Sequence, residues 1–154
     1  MIKIFGWIAI KLLIHIQFAD VSHLSTSQLA SWSAQPPLLL DARTAPEYAV
    51  SHLPGAQLAP AQLQDLSTRE GVDPSTPIVV YCSIGYRSAH LAQRLTAMGY
   101  ENVFNLEGSI FQWANEDRPV YRGGNQVQEV HPFDRSWGTL LNKDLYPDDW
   151  QPIQ

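Results

Sequence analysis

The sequence predicts an α/β domain built on a mainly parallel sheet with helices on both faces. Three observations predict it. Short apolar segments, Leu38-Leu39-Leu40 and Ile78 to Tyr81, read as strands buried on both sides, and Val103 to Leu106 reads as another strand. Helical stripes follow each of them. Turn residues such as Leu53-Pro54-Gly55 and Gly99 punctuate the alternation.

The totals agree with one folded domain. The chain has 154 residues, 45% of them hydrophobic and 16% charged, enough for a core without metals or disulfides. Net charge is −5, and the sequence has no run of Lys or Arg, which argues against a nucleic-acid partner. A single cysteine, Cys82, can form neither an internal disulfide nor a Cys-rich zinc site, and it favours a reducing, cytoplasmic location. His15, His23, His90 and His131 have no metal-ligand spacing, so no metal or other cofactor is expected.

Three regions are expected: an apolar segment over 1–19, the domain over 20–119, and a hairpin with an irregular strap over 120–154. In the first, Met1, Ile2, Phe5, Ile8, Ala9, Leu12, Leu13 and Ile16 share one apolar half of a helical wheel, but strict alternation fits too. Lys11 interrupts the roughly 20 apolar residues a spanning helix needs. Ile16-Gln17-Phe18-Ala19 is also a poor cleavage site. The segment is therefore expected to be an interfacial membrane anchor through residues 1–18, or an added element packed on the domain.

Next, Ser25-Thr26-Ser27 offers an N-cap for a short helix that Pro36-Pro37 ends. Leu38 to Leu40 leads to Asp41, and Thr44 caps a helix to Val50 with Pro46 in its first turn. Ala56 to Leu58 is a candidate short strand, Pro60 to Leu66 is helical, and Gly71 to Pro77 is a loop. Ser88 to Met98 carries a helical stripe closed by Gly99. Gly108 to Asn115 is a further helix. Gly123-Gly124 turns a hairpin, and a Pro- and aromatic-rich strap follows from His131.

Chemistry concentrates at Tyr81-Cys82-Ser83-Ile84-Gly85-Tyr86-Arg87-Ser88. In parallel sheets ligands lie at the carboxyl ends of strands, where this loop puts the cysteine. If residues 83–87 curl into a bowl, the N–H groups of Ser83, Ile84, Gly85, Tyr86 and Arg87 converge on the sulfur. The following helix adds its positive dipole end, and Arg87 a permanent charge suited to oxyanions. All of these favour thiolate over thiol. Gly85 permits a backbone conformation that a side chain would hinder.

This loop resembles the active-site loop of rhodanese-like sulfurtransferases. Leu39-Leu40-Asp41-Ala42-Arg43 with Glu47-Tyr48, His52-Leu53-Pro54-Gly55-Ala56, and Asn105-Leu106-Glu107-Gly108-Ser109-Ile110 with Trp113 match further segments of that family in order. The resemblance covers about residues 20–119. It implies a five-stranded parallel sheet and a double displacement. Cys82 takes a sulfane sulfur from a small donor such as thiosulfate, and the persulfide passes it to cyanide or an external thiol. The loop amides would hold the persulfide, Arg87 would help bind the donor, and Asp41 and Arg43 would support the loop.

Two other readings follow from the same resemblance. A non-catalytic docking module is one. A related phosphatase is the other, although four residues between Cys82 and Arg87 give a bowl too tight for phosphate. The chain departs from the family at Ser51 and Ser109, where Gly is frequent. It also has no cation at Ser83 or Ile84, where some thiosulfate-specific members carry basic residues.

Overall fold

A computed structural model describes residues 2–151; Met1 and the last three residues of the strap lie outside it. Strands β1 (Ser22–Leu24), β2 (Leu38–Asp41), β3 (Gln57–Leu58), β4 (Ile78–Tyr81) and β5 (Val103–Leu106) form one sheet. Its order is β1-β5-β4-β2-β3, with all neighbours parallel. Every residue of the central strand β4 is buried. Val79 and Tyr81 point to one face of the sheet, and Ile78 and Val80 to the other.

Helices α1 (Ile2–Gln17), α2 (Thr26–Ala30) and α5 (Ser109–Asn115) cover the first face through Ile14, Leu29, Ile110 and Phe111, with Phe18 just beyond α1. Helix α4 (Tyr86–Ala97) and a 3-10 turn (Leu63–Thr68) cover the second through Leu91, Leu95, Leu63 and Leu66. Helix α3 (Ala45–Val50) follows β2, capped by Thr44 and Glu47 in a reciprocal box.

The strand order fixes the place of the site. From β2 the chain steps outward to β3, and from β4 it steps the other way to β5. The carboxyl ends of β2 and β4 therefore border a topological switch point, the usual crevice for ligands. Both chemistry-bearing segments, Asp41 to Glu47 and Cys82 to Arg87, leave the sheet there.

Several elements differ from the sequence expectation. Strand β1 has no apolar run, because it is a three-residue edge strand burying only Leu24. The helix expected from Ser88 starts at Tyr86, since Gly85 at φ 109° turns the chain directly into it. The segment expected as helix over 60–66 is the 3-10 turn instead. The hairpin is formed by β6 (Val120–Arg122) and β7 (Asn125–Val127) around Gly123 and Gly124, both at positive φ. It joins the domain through paired backbone bonds between Tyr121 and His52. The strap beyond it, including the short helix α6 (Arg135–Gly138), is docked: Val130 and Leu141 are buried in the same core cluster as α1.

Helix α1 packs with its mixed half. The mixed half, with Ile10 and Ile14, faces the domain, and its polar residues find partners there. Lys3 donates to Asn142, Lys11 and His15 approach Glu107, and Gln17 donates to Tyr86. The apolar half is left outside: Ile2, Phe5, Ile8, Leu12 and Ile16 are all exposed. Among the described residues, no helix is long and apolar enough to cross a membrane.

Candidate active site

Cys82 is the first residue beyond β4, and its side chain is buried. The loop after it is held by its carbonyls. Ile110 N–H donates to the Cys82 carbonyl and Phe111 N–H to that of Ser83, both at 3.1 Å. Asn105 Nδ2 donates to the Gly85 carbonyl at 3.0 Å. The Cys82 N–H is itself taken by Ser109 Oγ at 3.1 Å. With the carbonyls turned outward onto these donors, the Gly85 N–H turns inward and donates to Cys82 Sγ at 3.1 Å. The N–H groups of Tyr86, Arg87 and Ser88 open α4 and have no acceptor in a preceding turn of helix. An anionic sulfur at this position faces the positive end of a 12-residue helix.

Gly85 has a conformational reason to be glycine. A Cβ there would meet Ile14, Leu106 and Asn105 at 3.6–3.7 Å, ordinary contacts, so space is not what excludes a side chain. Its φ of 109° is.

Arg87 does not point at the sulfur as a free cation. Its Nη1 and Nη2 donate to the two Glu47 carboxylate oxygens, each at 2.9 Å, and Nη2 also reaches Ser83 Oγ at 3.0 Å. Glu47 thus ties α3, on the β2 side of the crevice, to the loop on the β4 side. Burial pushes the Glu47 pKa up, but hydrogen bonds from Arg87 and Thr44 outweigh this and hold it at about 2. Burial likewise opposes the charge of Arg87, and its bonds to Glu47 outweigh that, so its pKa is raised. The outer side of the guanidinium is covered by the Phe133 ring, 4.5 Å away.

Asp41 and Arg43 form a second brace, deeper in the fold and away from the sulfur. Asp41 accepts from the Arg43 backbone N–H at 2.9 Å, from Arg43 Nη2 at 2.7 Å and from the Tyr81 hydroxyl at 2.8 Å. Tyr81 Oη in turn accepts the Leu53 N–H, and Arg43 Nη2 donates to the Ser51 carbonyl. The residue before the cysteine is thereby locked to β2 and to the turn at 51–53. His52 is outside this network; its ring stacks on Tyr48 and its Nδ1 contacts the Leu53 carbonyl.

Above Cys82 opens a cavity of about 430 Å³, lined by Cys82, Ser83, Ile84, Tyr86 and Arg87 of the loop. The remaining wall comes from Ile10, Leu13 and Gln17 of α1 and from Phe133 and Trp137 of the strap. Sequence reasoning missed these wall residues, and also Glu47, Asn105 and Ser88, whose hydroxyl donates to Asn105 Oδ1 at 2.6 Å and lies 3.5 Å from Cys82 Sγ. A capping-box reading of Thr44 and Glu47 finds the first role of Glu47 but not its hold on Arg87. Nothing in the pattern near residues 10 or 133 points to a distant loop.

The family model for the Rhodanese-like domain matches residues 25–116. A "Sulfurtransferase" of Allochromatium vinosum is 35% identical over 83 residues, covering 54% of this chain and 77% of that protein. A "Thiosulfate sulfurtransferase GlpE" of Coxiella burnetii is 30% identical over 99 residues, covering 64% and 89%. A "Probable adenylyltransferase/sulfurtransferase MoeZ" of Mycobacterium tuberculosis is 31% identical over 67% of this chain, which spans only 27% of that longer protein. Among solved structures, a thiosulfate sulfurtransferase from Pseudomonas aeruginosa superimposes with a TM-score of 0.60 at 25% identity, over 79% of this chain and 23% of that one. The shared α/β fold, the ordered motifs and the matched cysteine loop place this chain in the rhodanese-like domain family.

Proposed function

We propose that this protein is a sulfurtransferase that carries a sulfane sulfur on Cys82. The observation that carries the reading is the Cys82 sulfur at the floor of an open cavity, with the Gly85 N–H on it and the loop carbonyls tied elsewhere. In the first step the Cys82 thiolate attacks the outer sulfur of a donor such as thiosulfate. A bond from Sγ to that sulfur forms, the donor's S–S bond breaks, and its electron pair leaves with sulfite. The persulfide then lies among the Gly85 amide and the opening amides of α4, which favour its negative charge. In the second step cyanide or an external thiol attacks the outer sulfur, and the electron pair of the broken bond returns to Sγ. The acceptor is external because the chain has one cysteine. The proposal includes peripheral attachment of a cytoplasmic protein to a membrane through α1. Its polar side is engaged by the domain and its apolar side is exposed.

The test is thiocyanate formation from thiosulfate and cyanide, with intact mass reporting a gain of one sulfur atom. Wild-type protein is expected to turn over and to carry the adduct, and Cys82→Ser to do neither. Sulfur transfer that survives Cys82→Ser would overturn the reading.

A further inference from the structure

The wall of the cavity that is not loop comes from outside the segment the family model matches, from α1 before residue 25 and the strap beyond residue 116. We infer that these two added segments form a specificity mouth that selects, as sulfur acceptor, a small thiol with an apolar body. The inference rests on the sulfurtransferase reading above.

Four observations carry it. The lining around Cys82 is overwhelmingly apolar: Ile10, Leu13, Ile84, Tyr86, Phe133 and Trp137. The cation that could receive a small anion is already engaged, because Glu47 binds both ends of the Arg87 guanidinium and Phe133 covers it. A bodiless acceptor such as cyanide gains nothing from this wall, whereas an alkyl or aryl group gains by burial. The cavity of about 430 Å³ is of the size that holds a small organic ligand and exceeds the need of cyanide or thiosulfate.

The fourth observation is the strained placement of Phe133. It is a non-glycine residue at φ 70°, in a tight turn closed by the Asp134 N–H on the Pro132 carbonyl at 2.9 Å. The His131 ring fixes the same turn by accepting the Phe133 N–H at 3.0 Å. A conformation this rare is held where it sets one aromatic ring on the catalytic loop's arginine and against the mouth. Leu13 and Trp137, half-exposed at 51% and 39%, line the mouth from α1 and the strap.

In the step concerned, the thiolate RS⁻ bonds to the outer sulfur of the Cys82 persulfide anion. The Sγ–S bond breaks, its electron pair remains on Sγ as thiolate, and RSS⁻ leaves. Charge and protons balance with no external oxidant or reductant.

The experiment loads full-length protein with thiosulfate and follows single-turnover discharge of the persulfide by intact mass. Acceptors are straight-chain thiols from ethanethiol to hexanethiol, among which thiol basicity hardly changes, with cyanide as the bodiless reference in every variant. The discharge rate constant should rise about 2- to 4-fold per added methylene, the upper value being that of a fully buried methylene. In Leu13→Asn and Phe133→Asn the ratio of hexanethiol to cyanide should fall at least about 10-fold. Both positions are partly exposed, and asparagine tolerates positive φ, so folding is preserved. A persulfide that discharges to cyanide but shows no chain-length dependence overturns the inference and leaves sulfur transfer standing. A ratio unchanged in both variants overturns it as well. No persulfide from any sulfane donor instead defeats the sulfurtransferase reading itself.

Discussion

Replacing Glu47 by glutamine isolates the charge that holds the loop. The amide keeps the length and can still accept from the Thr44 backbone, so the start of α3 stays capped. What is lost is the carboxylate facing Arg87. The Glu47 pKa moves from an ordinary 4.5 to about 2 on folding, which at about 1.4 kcal/mol per pH unit corresponds to about 3 kcal/mol. Glu47 is almost fully buried, but 31% of the Arg87 side chain is exposed, and water on that side trims the figure to about 2 kcal/mol. For a chain of this length that is a fall in Tm of roughly 4–8 °C at neutral pH.

The pH profile is the sharper readout. A carboxylate whose folded pKa is depressed contributes stability above 4.5, and that contribution is lost as pH falls towards about 2. Glutamine does not titrate. The difference in unfolding free energy between wild type and Glu47→Gln, from urea titrations at a series of pH values, should be full above pH 5. It should close as the pH falls below 4.5. A difference that stays constant across this window would refute the reasoning, because the pair would then contribute through shape rather than charge.

Gly85→Ala is expected to be destabilised by roughly 1–3 kcal/mol from backbone conformation, since the new methyl group itself has room. Any relaxation of φ moves the amide that touches Sγ, so persulfide formation should slow by at least about 10-fold; a stable variant with wild-type loading would show that the Gly85 N–H does not matter. Vesicle flotation tests the exposed half of α1. Full-length protein should float with vesicles containing anionic lipid, and Ile8→Asp combined with Leu12→Asp should not, whereas equal flotation of both would exclude α1 as the contact.

The sheet and the loop were legible because their signals are local. Leu38 to Leu40 of β2 and all of β4 are continuous apolar runs, and a strand buried on both faces can hardly look otherwise. Cys82, Gly85 and Arg87 lie within six consecutive residues, so their joint chemistry could be read without a fold. Strand β1 was illegible for the converse reason: an edge strand with one buried residue has no pattern to show. The role of Arg87 was half legible. Its charge near the sulfur follows from the sequence, but its partner Glu47 is 40 positions away and meets it only because β2 and β4 are neighbours.

The mouth of the site is where local reading fails most completely, and the reason bears on function. Gln17 reaches Tyr86 across 69 positions and Lys3 reaches Asn142 across 139, so the two ends of the chain meet over the loop through contacts no periodicity encodes. The wheel separated the two halves of α1 without saying which one packs. The apolar half of α1 faces out, and the mixed half packs because its lysines, histidine and glutamine have partners on the domain. Leu13 belongs to both surfaces, half-exposed on the helix and lining the cavity above Cys82. Cys82 and the amides around it belong to the part of the chain shared with the family, while the rest of the cavity wall comes from segments the family match does not cover. The proposed sulfur transfer and the inferred acceptor selectivity therefore make separate predictions: substitutions in the loop should change whether sulfur moves, and substitutions at Leu13 or Phe133 should change which acceptor receives it.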